Sequence, residues 1–316
     1  HSTFIALLEI KNNLKIIITG GSGFIGSCLA MQLKQEHDVT IFDVKKNVSD
    51  VNFIEGDVTN LENVKNSIVK CDLVIHLAAA LGVVNVEKDP VQTLDINLGG
   101  TKNVLEACRA NDIKKIIFSS SSEIYGEPAK IPIKENDPIT PITTYGISKL
   151  ASEEYIKSYS KSYGIRYTIF RLFNVYGAMQ DTQWVLPAFV DKAISNKLIS
   201  VHSDGSQVRA FCYVSDVADA FQSVLETANG EIINVGNDNN PISIKELAEK
   251  IISLTNSQSE IEFVPFEESN RNRTEIMKRI PDINKAKKIL NYSPKITLDE
   301  GIEKVAKHRQ KINSDK

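Results

Sequence analysis

An α/β fold, a doubly wound parallel sheet with a smaller C-terminal α/β lobe, is predicted for this chain from three observations. Short runs rich in Ile and Val alternate with helix-compatible segments through the first half. The first run is short, largely apolar and carries β-branched residues, as suits a buried parallel strand. It ends in Gly20-Gly21-Ser22-Gly23-Phe24-Ile25-Gly26, a glycine-rich turn opening a helix.

Along the chain, residues 14–19 form the first strand, and a helix begins near Phe24. Glycines in the turn accept positive φ and let a pyrophosphate approach the backbone. The helix start aims free N–H groups and the dipole at that anion. The spacing fits GxGxxG through Gly21, Gly23 and Gly26, and GxxGxxG through Gly20, Gly23 and Gly26; an ordinary tight turn would also use such glycines. The second strand, 39–42, ends at Asp43, where a carboxylate accepts hydrogen bonds from ribose hydroxyls and repels a 2′-phosphate. That favours NAD over NADP, although Lys45 and Lys46 stand nearby. A third strand, 51–55, leads to Asp57 and Val58 near the expected adenine position. A fourth, 73–77, runs into Ala78-Ala79-Ala80, small enough for a cofactor to lie against. His76 on it reads as a hydrogen-bonded core histidine. A fifth, 115–118, delivers Ser119 to Ser122 to the carboxyl edge, where ligands sit in such sheets.

The whole-chain properties bound the function. The 316 residues exceed one mononucleotide unit. A dinucleotide domain is expected over 14–176, with a returning segment at about 208–236. The lobe takes about 177–207 and 237–312, and 1–13 reads as a leader or expression remnant. A net charge of −3 gives no electrostatic reason for nucleic acid or membrane partners. Cys28, Cys71, Cys108 and Cys212 lack the spacing of a metal site, which suits a reducing, cytoplasmic compartment. No metal is expected. In the lobe, 244–254 is an amphipathic helix opened by Ser243 with Glu246 three residues on. Helices are also expected over 283–290 and 298–307. Helices at about 94–110 and 145–163 carry apolar faces that suit either sheet covering or a homodimer.

Chemistry concentrates in Tyr145-Gly146-Ile147-Ser148-Lys149. Phenol and ammonium lie one helical turn apart on one face. An ammonium about 5 Å away, at an effective dielectric of about 20, favours the phenolate by roughly 3 kcal/mol. Lys149 is therefore expected to bring the Tyr145 pKa down toward the cellular range. The bland alternative is a Tyr and a Lys on a solvated helix.

The motifs together resemble the extended short-chain dehydrogenase/reductases, the nucleotide-sugar epimerases, dehydratases and decarboxylases. The similarity runs over residues 14–305. It is carried by Thr19-Gly20-Gly21-Ser22-Gly23-Phe24-Ile25-Gly26, Gly56-Asp57-Val58, His76-Leu77-Ala78-Ala79 and Asn97-x-x-Gly100-Thr101. It continues through Phe118-Ser119-Ser120-Ser121-Ser122-Glu123-Ile124-Tyr125-Gly126, Tyr145-x-x-x-Lys149 and Arg171-Leu172-Phe173-Asn174-Val175-Tyr176-Gly177. Asp204-Gly205-Ser206-Gln207-Val208-Arg209-Ala210-Phe211 and Pro281-Asp282-Ile283-x-Lys285-Ala286 complete it.

The resemblance implies a Rossmann-like fold that binds NAD. Gly20, Gly23, Phe24, Ile25 and Gly26 would cradle the dinucleotide, with Asp43, Asp57 and Val58 at its adenosine end. Leu77, Ala78, Ala79, Asn97, Ser119 and Phe173 would line the remainder. Ser121 would meet the sugar 4-hydroxyl beside Tyr145, and Lys149 would hold the nicotinamide ribose. Asn174 and Arg209 would contact a nucleotide-sugar diphosphate, UDP by analogy, with Arg271 or Arg273 as a second phosphate clamp. Arg209 alone would also suit a surface salt bridge.

The implied first step is proton removal by Tyr145 as C4 is oxidised to a 4-keto sugar. Ser121, Ser122 and Glu123 bear on the fate of that ketone. Dehydratases carry Thr-Asp-Glu at this point, and the missing acid at Ser122 argues against dehydration. Decarboxylases of UDP-glucuronate carry Thr-Ser-Glu, which keeps them open. The Ala79-Ala80-Leu81-Gly82-Val83 stretch resembles the epimerases, so a 4-epimerase is preferred. Glu123 would serve the reaction or only accept backbone hydrogen bonds beneath the site. A non-catalytic NAD-binding redox sensor is the alternative of another class, and the intact Ser121, Tyr145 and Lys149 count against it.

Overall fold

In a computed structural model, residues 13–82, 86, 88–265 and 276–314 are described. The first element is β1 (Lys15–Thr19), followed by α1 (Phe24–Leu33), β2 (Asp38–Asp43), β3 (Asn52–Glu55), α2 (Leu61–Ser67) and β4 (Leu73–His76). A continuous helix then runs as α3 (Pro90–Leu94), a π-helical turn (Asp95–Gly99) and α4 (Gly100–Ala110). Next come β5 (Lys115–Ser121), a 3₁₀ turn (Ser122–Tyr125), α5 (Thr144–Tyr163), β6 (Arg166–Leu172) and β7 (Val175–Tyr176). The remainder comprises α6 (Val185–Ile194), β8 (Ile199–His202), β9 (Val208–Arg209), β10 (Cys212–Tyr213), α7 (Val214–Ser223) and β11 (Glu231–Val235). Last are β12 (Ile242–Ser243), α8 (Ile244–Leu254), β13 (Ile261–Val264), β14 (Lys278–Arg279), α9 (Asn284–Leu290) and α10 (Leu298–Ser314).

Seven strands form one sheet in the order β11-β6-β5-β4-β1-β2-β3. Every pairing in it is parallel. The chain winds outward in both directions from β1, so the crevice between β1 and β4 is the switch point where such folds bind ligands. The Ile16-Ile17-Ile18 run of β1 has its physical cause here. Ile16 and Ile18 pack into one core with α1 and α7, while Ile17 faces the other with α4 and Ile156 of α5. Both faces are covered, so neither needs polar residues.

A third core joins α6, α8 and α10 through Leu186, Val190, Leu247, Ile251, Ile302 and Val305. Ser243 and Glu246 form the full capping box at the start of α8. In this part of the chain β9 pairs with β12 and β14, and β8 pairs with β13.

Among the boundaries that differ from expectation, two have identifiable reasons, while the helix expected over 298–307 simply continues to Ser314. β5 continues through Ser121, because β6 pairs with it residue by residue as far as Leu172. The helix expected from 94 starts at Pro90, where Asp89 accepts the Gln92 N–H and the proline fits a first helical position. Residues 1–12, covering nearly all of the expected leader, lie outside the described residues, as do Arg271 and Arg273. No described helix is long and apolar enough to cross a membrane.

Candidate active site

The glycine-rich turn is shaped by what it cannot contain. Gly20 has φ +70°, and a Cβ there would lie 2.6 Å from the Ala78 nitrogen. At Gly26 a Cβ would lie 2.4 Å from the Gly20 carbonyl oxygen. These contacts bring the end of β1, the start of α1 and the Leu77–Ala78 backbone into one tight cradle. The first turn of α1 carries no acidic residue and no side-chain cap, leaving its N–H groups available for an anion. Ser22 is buried, and its hydroxyl has no protein partner. Asp43 stands at the end of β2, accepting hydrogen bonds from the Ser22 N–H at 3.0 Å and the Val44 N–H at 2.8 Å. Asp57 is exposed and holds its own turn by accepting from Thr59 N–H, while Val58 is buried against Gly100. A side-chain-free cradle, an orphaned hydroxyl and a carboxylate one strand away fit a dinucleotide without a 2′-phosphate.

Asn97 acts through the protein. Its amide accepts from Ala80 N–H at 2.7 Å and donates to the Ala80 carbonyl at 3.2 Å and to Ser148 Oγ at 2.9 Å. It thereby ties the 78–80 loop to α5. Ser148 Oγ in turn donates to the Tyr145 carbonyl at 2.7 Å. His76 is buried between Thr19 at 2.7 Å and Thr101 at 3.1 Å, and burial pulls its pKa down to about 3. It is a core histidine, as the sequence indicated.

The carboxyl edge of β5 and the first turns of α5 form the other half of the site. Thr143 caps α5, accepting from Gly146 N–H at 2.9 Å. Gly146 lets the helix approach the 3₁₀ turn, since a Cβ there would meet the Glu123 carbonyl at 2.9 Å. This close approach brings Tyr145 beside Ser121. Lys149 is buried, donates to the Ser119 carbonyl at 2.8 Å and lies 5.7 Å from the Tyr145 ring centre. Ser122 is buried directly behind.

The electrostatics overturn one expectation. Burial, and after it the Glu123 charge, push the Tyr145 phenol up from its ordinary value; the Ser121 hydroxyl and the Arg279 charge oppose this only partly. Tyr145 is half-buried, and the loss of hydration is the larger influence on its phenol. Burial also pulls Lys149 down to about 7, with Glu153 opposing. The amine does not depress the phenol as the helical spacing alone suggested. The amine is itself drawn down by burial and engaged with the Ser119 carbonyl.

Glu123 also departs from the backbone-only alternative. Its carboxylate accepts from Thr143 Oγ1 at 2.9 Å and pairs with Arg279 at 3.4 Å. Arg279, on β14, was not singled out in the sequence. No local signal marks it, because it lies 156 residues from its partner. Its Nε is buried without a partner. Phe173, expected along the cofactor, is fully buried with Ile124, Tyr125 and Ile133, so its ring belongs to the core. Asn174 adopts φ 38° and reaches toward the carbonyls of Ala210 and Arg279. Arg209 is 6 % exposed, so it is not a surface residue, and it donates to the carbonyls of Val208 and Met277. Among the described residues no group of three His, Cys, Asp or Glu could hold a metal ion.

Comparison with known proteins identifies the family. Residues 16–236 match the NAD-dependent epimerase/dehydratase family. A Methanocaldococcus jannaschii protein, provisionally named a UDP-glucose 4-epimerase, is 39 % identical over 302 residues, covering 92 % of this chain and 96 % of its own. A Bacillus cytotoxicus UDP-N-acetyl-α-D-glucosaminuronate decarboxylase is 33 % identical, covering 95 % and 99 %. The crystal structure of a Thermotoga maritima UDP-glucose 4-epimerase with UDP-glucose superposes with a TM-score of 0.89 at 29 % identity, over 95 % of this chain and 100 % of that one. With its parallel sheet, glycine cradle and Ser–Tyr–Lys edge, the chain belongs to the NAD-dependent epimerase/dehydratase family.

Proposed function

We propose that the chain is an NAD-dependent nucleotide-sugar 4-epimerase of the UDP-hexose type, working through a transient 4-keto sugar. The observation that carries this reading is the meeting of Ser121, Tyr145 and Lys149 at the end of β5. When bound, NAD⁺ supplies a hydride acceptor and a fixed positive charge. Tyr145 removes the 4-hydroxyl proton as C4 is oxidised and returns it when C4 is reduced on its other face. Ser121 orients that hydroxyl. Lys149 holds the ribose, and as an ammonium it partly offsets the cost of forming a phenolate in a buried site. The Arg279 charge acts on Tyr145 in the same direction.

Glu123 supports epimerisation over dehydration. A dehydratase needs a free base for C5, whereas this carboxylate is held by Thr143 and Arg279. Asn174 and Arg209 are assigned to the diphosphate, and Arg271 or Arg273 to a second phosphate contact. The exposed Val91, Ile147 and Tyr155 on α3 and α5 support a homodimer, and the cytoplasm is the proposed location.

The Glu123–Arg279 pair also favours a second reading. A guanidinium beside the reacting sugar would suit a C6 carboxylate, as in decarboxylation of a UDP-uronate. Incubation with UDP-glucose, UDP-N-acetylglucosamine and UDP-glucuronate separates the two. A C4 epimer is expected. Carbon dioxide and UDP-xylose from UDP-glucuronate alone would replace the first reading by the second. Tight NAD binding without turnover of any nucleotide sugar would leave a redox sensor.

A further inference from the structure

The row of functional groups on α5 does not stop at Lys149. Glu153 lies four residues beyond it and eight beyond Tyr145, so phenol, amine and carboxylate share one helix face. Three consecutive serines of β5 meet these three residues. Ser121 lies beside Tyr145, the Ser119 carbonyl accepts from Lys149 Nζ at 2.8 Å, and Ser120 Oγ donates to Glu153 Oε1 at 2.5 Å.

Glu153 is 0 % exposed, and its partner Arg171 is 3 % exposed. Arg171 stands on β6 in register with Ser120. It donates from Nε to Oε1 at 3.0 Å and from Nη2 to Oε2 at 2.8 Å. Its Nη1 is used on Tyr125 Oη and the Glu135 carbonyl, each at 2.9 Å. A buried ion pair is a poor source of stability, because desolvation consumes most of the attraction, and apolar residues of similar volume often do as well. Its place one turn from Lys149 gives it a better use.

We propose that Glu153, paired with Arg171, is a positioning residue for the proton-transfer pair, its buried carboxylate keeping the Lys149 amine protonated beside Tyr145. The proposal rests on the reading of Tyr145 and Lys149 given above.

The surroundings of Lys149 leave that task to Glu153. From β4 it faces His76, which stays neutral. From β5 it faces the Phe118 ring, 4.8 Å from Nζ, and the Ser119 carbonyl. From its own helix it faces Tyr145 and Glu153. Burial draws Lys149 down to about 7, and the Glu153 charge is what opposes it. Removing that anion lowers the value further. If it falls by about one unit, the ammonium fraction at pH 7 drops about fivefold.

The test is an NMR titration of the full chain labelled with [ε-¹³C]lysine, without nucleotide sugar, with the Lys149 signal assigned by its loss in Lys149→Met. The Lys149 midpoint is expected to fall by about one unit in Glu153→Gln, and to fall by less in the double variant Glu153→Gln/Arg171→Gln, where the more distant Arg171 cation is removed as well. Glu153→Asp, which keeps the charge, is expected to restore most of the wild-type value. An unchanged or raised midpoint in a folded neutral variant overturns the proposal. So does failure of both neutral variants to fold, which would make the pair purely structural. On a substrate that the wild type converts, Glu153→Gln should move the pH optimum of kcat downward with KM little changed. If no nucleotide sugar is converted by the wild type, the functional reading fails while the titration still decides the role of Glu153.

Discussion

The two sides of the candidate site are built on opposite principles. The dinucleotide side is made by leaving side chains out, with Gly20 and Gly26 so tightly placed that a methyl group would collide with backbone. The sugar side is made by packing charge in, with Lys149, Glu153 and Arg171 buried and Glu123 paired to Arg279. Steric exclusion is local and tolerates no addition. Buried charge is collective, and each member depends on partners from other elements. The first side therefore should respond to mutation through binding and folding, and the second through rate and pH dependence.

The largest expected effect is on the sugar side. Tyr145→Phe should lower kcat by about 10²–10⁴-fold, the usual contribution of a positioned acid–base group. Dinucleotide binding, measured on the same sample, should change little. A loss of cofactor with an unchanged rate per loaded enzyme would invert the contrast between the two sides.

Gly20→Ala tests the other principle. The positive φ alone costs on the order of 1–3 kcal/mol, and the 2.6 Å contact with the Ala78 nitrogen adds to it. A lowered Tm and at least a roughly tenfold weaker dinucleotide affinity are expected, a tenfold change being about 1.4 kcal/mol. Wild-type affinity in this variant would show that the cradle is looser than its contacts indicate.

Acid sensitivity comes next. His76 has a pKa of about 3 in the folded chain against its ordinary 6.5. Between those values the unfolded chain binds the extra proton, so stability is fully present above pH 6.5 and declines as pH falls toward 3. At pH 5 the loss is about 2 kcal/mol. Thermal melts of wild type and His76→Gln between pH 5 and 7.5 should show a shallower pH dependence in the variant.

The smallest effect is expected at Arg279. Its pair with Glu123 keeps some solvent exposure, and such pairs are worth about 0–1 kcal/mol. Arg279→Gln should keep epimerisation within about tenfold of wild type. A far larger loss confined to a uronate substrate would give Arg279 the carboxylate-binding role of the decarboxylase reading.

The contrast also explains how much the sequence disclosed. Glycine sterics and strand periodicity act over a few residues, so the glycine-rich turn, the carboxylate at the end of the second strand and the five parallel strands themselves were legible, whereas their order in the sheet was not stated by the sequence. Glu123–Arg279 spans 156 residues and was not. The burial of the Phe173 ring among Ile124, Tyr125 and Ile133 was not legible either, because those partners come from a segment about forty to fifty residues away. The effect of Lys149 on Tyr145 was misjudged because spacing reports proximity and carries no information about burial. Glu153 was within reach, since it continues the same four-residue step from Tyr145 through Lys149. Its buried partner Arg171 was not.

The central claim is reversible oxidation at C4 with Tyr145 handling the proton, and isotope retention tests it most directly. Wild-type enzyme supplied with UDP-glucose deuterated at C4 should yield a C4 epimer that keeps its deuterium. Washout of the label into water, or inversion at a carbon other than C4, would contradict it.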